Sequence, residues 1–275
     1  MQKRVAAIHD LSCFGKCSLT VALPVISAMG VECAVLPTAM LSGHFAALPQ
    51  VDVLDLTDYM QTVADQWQTG QVRFDGIFSG YLSSAAQVRR VTEFVEAFRK
   101  EGTLYIADPA MADRGKLYRG FDENHVSAMA KLCQMSDVTL PNVTEACMML
   151  GKHYCPVQTE AQVRALVQGM LDLGAKQVVL TGVSLAEDRV GIACSTGGQT
   201  VIMDKPKTPG HYNGTGDLFG SVFTAALVKG ISLPEAAKQA MEFTSHVIAE
   251  TAKNPHHRPY GVDFEQHLHL LMQKT

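Results

Sequence analysis

Short runs of β-branched and apolar residues alternate along the chain with longer stretches whose apolar positions recur every three or four residues. The runs at 5–9, 32–36, 76–78, 104–108, 138–140, 177–180, 190–194 and 200–203 read as strands. Amphipathic stretches at 19–29, 57–68, 85–100, 123–134, 144–150 and 160–173 read as helices between them. The strand runs are nearly all apolar, which predicts a central sheet covered on both faces. Alternation of β and α predicts parallel strands with right-handed crossovers, an α/β fold of three layers, α/β/α, around a mostly parallel sheet. Beyond Asp217 the pattern changes to helices alone, at 218–228, 233–253 and 264–272, the second with Pro234 in its first turn. Gly197-Gly198 reads as a hairpin turn, and 205–212 as a polar loop. No linker, repeat or low-complexity segment interrupts the 275 residues, so one domain is expected over 1–275.

In such an architecture ligands bind outside the carboxyl ends of the strands. Polar residues gather there: His9, Asp10 and Gly15 after the first strand, Thr38, Ser42 and His44 after the second, and Ser79-Gly80-Tyr81 after the third. Asp108-Pro109 and Asp113 follow the fourth, Asn142 and Glu145 the fifth, and Thr181-Gly182 the sixth. Turn chemistry favours the same residue types, but not at six strand ends in succession.

Asn213-Gly214-Thr215-Gly216-Asp217-Leu218-Phe219-Gly220 runs straight into an apolar helical pattern. Glycines at 214 and 216 let main-chain N–H groups point one way, and a helix N-terminus adds positive potential, so the segment reads as an anion cup. Asp217 conflicts with that reading, because a carboxylate repels the ligand such a cup attracts. The conflict resolves if Asp217 takes a proton from a hydroxyl while the amides hold the phosphoryl group under attack. A helix capped by Thr215 or Asp217 is the plainer alternative. Asn142-Val143-Thr144-Glu145 is open in the same way: a capping box, or a helix start whose glutamate holds waters on Mg²⁺.

Composition narrows the function classes. Apolar residues make up 47% and charged residues 18%, and the net charge is −4 without a basic block. That balance excludes nucleic acid or an anionic membrane as the principal partner. No stretch approaches the roughly 20 apolar residues of a membrane span, and the apolar run before His9 is too short for a signal peptide. Seven scattered cysteines fit reduced thiols, and Cys13 and Cys17 lack a second close pair for zinc, so a cytoplasmic location is expected.

The assembled motifs resemble the ribokinase-like superfamily and, within it, the vitamin B6 kinases. Gly214-Thr215-Gly216-Asp217-Leu218-Phe219 is similar to the family's anion-hole and catalytic-base signature, and Asn142-x-x-Glu145 to its magnesium-associated motif. The segment from Asp108 to Asp113 resembles the one beside the triphosphate and metal, while Thr38 to His44 and Ser79 to Leu82 resemble those lining the pyridine pocket. The similarity runs in register from about Val5 to about Glu250.

The resemblance implies an ATP-dependent kinase acting on the 5′-hydroxymethyl group of pyridoxal, pyridoxamine or pyridoxine. Asp217 would be the base, with Gly214, Thr215 and Gly216 forming the anion hole. Asp108, Asp113, Asn142, Thr181 and Gly182 would lie on the nucleotide side, Glu145 and Asp108 would serve Mg²⁺, and Asp10, Thr38, Ser42, His44 and Tyr81 would meet the acceptor. A monovalent cation such as K⁺ and a homodimer are further expectations of the family. The chain departs from the pattern at Asp10, where many B6 kinases carry a serine; an acid there favours a cationic group such as the amine of pyridoxamine. Gly43 stands where an asparagine is common, positions 46–48 lack the usual aromatic, and Leu140 precedes Pro141 where some relatives have threonine. The nearest alternative is a hydroxymethylpyrimidine kinase, whose relatives usually carry a Gly-rich stretch after the first strand in place of Leu11-Ser12-Cys13-Phe14-Gly15. A sugar kinase would usually be longer and bear an early β lid, and a non-catalytic binder would not need a carboxylate in the cup.

Overall fold

The computed structural model describes residues 2–272. In chain order the first half runs β1 (Arg4–Ser12), α1 (Leu19–Ala28), β2 (Glu32–Leu41), β3 (Val53–Asp55), α2 (Thr57–Thr69), β4 (Gly76–Ser79), α3 (Ala85–Phe98) and β5 (Leu104–Ala107). A small hairpin, β6 (Ala112–Asp113) and β7 (Lys116–Leu117), leads to α4 (Glu123–Met135), β8 (Val138–Thr139), α5 (Val143–Met149) and α6 (Glu160–Asp172). Then come β9 (Val179–Val183), β10 (Arg189–Thr196), β11 (Gln199–Pro206), α7 (Thr215–Val228), α8 (Leu233–Ala252) and a 3-10 helix, Phe264–Leu270.

Among the described residues the central sheet has the order β3-β2-β1-β4-β5-β8, parallel throughout except for β3. Parallel bridges Thr139–Val178 and Asn142–Thr181 carry it on to β9, which pairs antiparallel with β10, and β10 with β11. Along β1, Val5 and Ala7 join the core formed with α1, α7 and α8, while Ala6 and Ile8 join that formed with α2, α3 and α4. All four are fully buried, which is why the run shows no period of two. The expected three layers are present.

Close packing of α7 sets where its N-terminus falls. A Cβ at Gly220 would lie 2.6 Å from the Phe78 ring, and one at Gly76 would lie 2.6 Å from a Val228 methyl. Missing side chains on both partners let the helix lie directly on β4, so Asp217 reaches the carboxyl end of the sheet.

Several predicted boundaries move. The strand expected at 32–36 continues to Leu41, which draws Thr38 inside it, and Thr181-Gly182 lie within β9 instead of after it. The helix expected at 264–272 is a 3-10 helix. Strand β3 and the β6–β7 hairpin have two or three residues each, too few to register as periodicity. All seven cysteines are free, and among the described residues no helix is long and apolar enough to cross a membrane.

Candidate active site

Gly214 occupies the N-cap of α7 with φ 73°, and a Cβ there would lie 2.1 Å from the Lys16 carbonyl oxygen. The position takes glycine for its left-handed backbone and for the close approach of the β1–α1 loop. Gly216 differs, because a Cβ there would meet no atom within 4 Å. The protein leaves that face open, beside the helix N–H groups that have no intrahelical partner. Thr215 does not cap the helix; its hydroxyl donates to the Tyr212 carbonyl at 3.2 Å.

Asp217, the third residue of α7, is half-buried. Burial pushes its carboxyl up to about 7; the main-chain N–H of Ser18 turns toward it and opposes the rise, while the charge of Asp10 adds to it. Burial likewise pushes Asp108, just past β5, up to about 8, with the Asp217 charge contributing. Asp10 is buried and raised for the same reason, partly offset by the Ser18 hydroxyl, which donates to it at 2.5 Å. Glu145 is raised by burial and by Asp108.

Among the described residues, none of these four carboxylates has a lysine, arginine or histidine partner within ion-pair distance. Carboxyl groups without a counter-cation suit a ligand that brings positive charge, and hard oxygen donors suit Mg²⁺. No three potential metal ligands converge among the described residues.

The capping box is formed: the Glu145 amide donates to Asn142 Oδ1 at 3.0 Å, and the Asn142 amide donates to Glu145 Oε2 at 2.8 Å. The other carboxylate oxygen accepts from the amides of Met111 (3.0 Å) and Ala112 (3.4 Å), and Asn142 Nδ2 donates to the Ala112 carbonyl at 2.8 Å. Glu145 and Asn142 therefore clamp the segment that follows Asp108. Glu145→Gln should lower the thermal midpoint, since an amide nitrogen would face a main-chain donor; the cost is about 1–3 kcal/mol. Thermal unfolding with and without excess Mg²⁺ checks this, and an unchanged midpoint would remove the clamp.

Asp113 sits exposed at the end of β6, 3.7 Å from the Arg114 guanidinium, and Arg114 in turn meets His211 in the loop after β11. Thr181 is tied to β8's end, its amide donating to the Pro141 carbonyl at 2.8 Å, and Gly182 lies beside Asn142.

On the opposite side, Tyr81 stacks on Phe121 at 5.5 Å, and its phenol is raised by burial and by the Asp10 charge. His44 Nδ1 accepts from the Ala46 amide at 3.1 Å, which leaves Nε2 to carry the proton and donate. Ser42 is exposed and closes its loop, its hydroxyl oxygen accepting from the Asp52 amide at 3.0 Å. Thr38 is fully buried, its hydroxyl toward the Tyr81 carbonyl at 3.5 Å, so it braces Tyr81 from behind.

Three residues here carried no sequence signal. Tyr118, just past β7 and 41% exposed, has its phenol raised by desolvation and then by the charges of Glu145, Asp113, Asp108 and Asp217. Phe121 links Tyr81 to His125 in one stack. Ser18 touches both Asp10 and the surroundings of Asp217. Neither Phe121 nor Ser18 lies at a strand end.

The sequence profile of the phosphomethylpyrimidine kinase family matches residues 22–261. A provisionally assigned phosphomethylpyrimidine kinase of Bacteroides thetaiotaomicron, crystallised with pyridoxal, superposes with a TM-score of 0.93 at 36% identity, covering 99% of this chain and 96% of that one. The pyridoxal kinase of Lactobacillus plantarum gives a TM-score of 0.90 at 32% identity, over 98% and 97% of the two chains. A pyridoxine/pyridoxal/pyridoxamine kinase of Bordetella avium is 26% identical over 90% of this chain and 85% of its own. The chain belongs to the phosphomethylpyrimidine kinase family and is a ribokinase-like phosphotransferase of the branch that holds the vitamin B6 kinases.

Proposed function

We propose that the protein transfers the γ-phosphoryl group of ATP to the 5′-hydroxymethyl group of a B6 vitamer, with Asp217 as the base. The observation that carries this reading is Asp217 in the first turn of α7, beside a glycine face that no protein atom fills. Burial holds its carboxyl near neutrality, where a base both exists ionised and accepts a proton readily. The N–H groups around Gly214–Gly216 would receive charge on the moving phosphoryl oxygens. Tyr81 and His44 would grip the flat acceptor ring, and Asp10 would meet a cationic substituent. Asp108, and Glu145 through water, would hold Mg²⁺, which neutralises triphosphate charge when bound. Thr181 and Gly182 fit the nucleotide side by their place at the sheet's end.

The relative crystallised with pyridoxal supports the acceptor class. The family name supports a second reading, a hydroxymethylpyrimidine acceptor. Phosphorylation of pyridoxal, pyridoxamine, pyridoxine, hydroxymethylpyrimidine and ribose, compared with ATP and Mg²⁺, decides between them. The expected order places the B6 vitamers at least about tenfold above hydroxymethylpyrimidine in kcat/KM, with pyridoxamine favoured by Asp10, since one charged hydrogen bond is worth about that much. Preference for hydroxymethylpyrimidine or ribose would overturn the assignment.

A further inference from the structure

Ser18 stands at φ 51° and ψ −127°. Left-handed residues other than glycine usually settle near ψ +47°, and this backbone lies far from that basin, in territory that glycine tolerates and a Cβ resists. It cannot relax alone. Its carbonyl accepts from the amides of Val21 (3.1 Å) and Ala22 (2.9 Å), so it also begins α1.

A serine at a helix N-cap ordinarily turns its oxygen back to the amides of the first turn. Ser18 makes no such bond. Its hydroxyl donates to Asp10 Oδ1 at 2.5 Å, across eight residues of sequence, and the residue is 5% exposed. The loop that carries it lies against the N-cap of α7, where a Cβ at Gly214 would sit 2.1 Å from the Lys16 carbonyl oxygen and 3.7 Å from the Cys17 Cα, and the Ser18 main chain acts on the Asp217 carboxyl from there. One residue thus reaches an acid at the end of β1 and an acid at the start of α7, while its own conformation is the less comfortable one.

We propose that Ser18 is a positioning residue: its hydroxyl fixes Asp10 while its strained turn holds the β1–α1 loop against the start of α7, and so sets where the acceptor hydroxyl meets the base at Asp217. This deepens the reading of Asp217 as base and rests on it. The hydroxyl serves the acceptor end through Asp10. The backbone serves the base. The two contributions separate by substitution, because glycine accepts the backbone conformation and alanine does not.

Ser18→Gly should keep the turn and the N–H while Asp10 loses its donor. The KM for pyridoxamine and pyridoxal should then rise about tenfold, as for one charged hydrogen bond, with the ATP KM and kcat within about twofold of the parent. Ser18→Ala retains the strain without the hydroxyl that holds it, so kcat should fall as well, by on the order of tenfold. Its thermal midpoint should lie below that of Ser18→Gly. Asp217→Asn, assayed alongside, separates the two ideas. An active Asp217→Asn removes the base, and the acceptor KM of Ser18→Gly still judges the tie to Asp10. An inactive Asp217→Asn with parental acceptor KM and kcat in both Ser18 variants overturns the role of Ser18. So does a parallel loss in both KM values and kcat with a lowered midpoint in both, which marks a folding defect.

Discussion

Asp217→Asn should reduce turnover by about a hundred- to ten-thousand-fold, the range that a general base supplies, with little change in the KM for ATP. The substitution preserves shape and removes the ability to take a proton. Its pH behaviour gives a sharper signature. With the Asp217 carboxyl pushed up to about 7 by burial, the parent should lose kcat as pH falls through that value, because the protonated form cannot act as base. The variant's residual rate should be flat over the same window. Stability should move the opposite way. A carboxyl raised in the folded state above its unfolded value favours folding fully below the unfolded value, and that benefit is lost as pH rises through about 7. At pH 8 the parent therefore carries an ionised, desolvated group that the variant lacks, and Asp217→Asn should unfold at a higher temperature than the parent there. Initial rates from pH 5.5 to 9 with thermal unfolding at pH 6 and pH 8 test both limbs. Turnover near the parental level would take Asp217 out of the mechanism.

The same desolvation explains what sequence could and could not disclose. Strands buried on both faces leave continuous apolar runs, so β1, β4 and β5 were visible at once, and the polar residues at their ends followed from the architecture. Two-residue strands leave no run, so the β6–β7 hairpin, whose first strand ends at Asp113, stayed hidden. Asn142 and Glu145 were legible as a pair but not in direction. The capping box and the clamp on Met111 and Ala112 use the same atoms, and only the path of the chain after Asp108 reveals the second set of partners. Thr38 and Ser42 show the converse: both stand where a ligand-binding residue would, yet their hydroxyls already meet protein atoms. Ser18 lay beyond reach of pattern. Its meaning comes from a backbone angle and a long-range contact, and a serine before a helix otherwise reads as a cap.

Gly216→Ala should separate folding from catalysis more cleanly than any other change in the cup. At Gly214 a side chain would collide with the Lys16 carbonyl and strain the backbone, so loss of activity there would say nothing specific. At Gly216 neither objection holds. Its φ is not among the positive ones, and a Cβ would meet no protein atom within 4 Å. Replacing glycine by alanine within a helix gains roughly 0.5–1 kcal/mol, so the variant should unfold at the same temperature as the parent or above it. The methyl group would nevertheless occupy the open face that the proposed phosphoryl oxygens need. Displacing them from even one main-chain donor should lower kcat by about a hundred- to a thousand-fold. Thermal unfolding and turnover measured on one preparation give both numbers. A stable, inactive variant places the reacting group against Gly216. A stable variant with parental turnover would mean that the space beside it belongs to solvent, and the anion cup would have to be sought elsewhere.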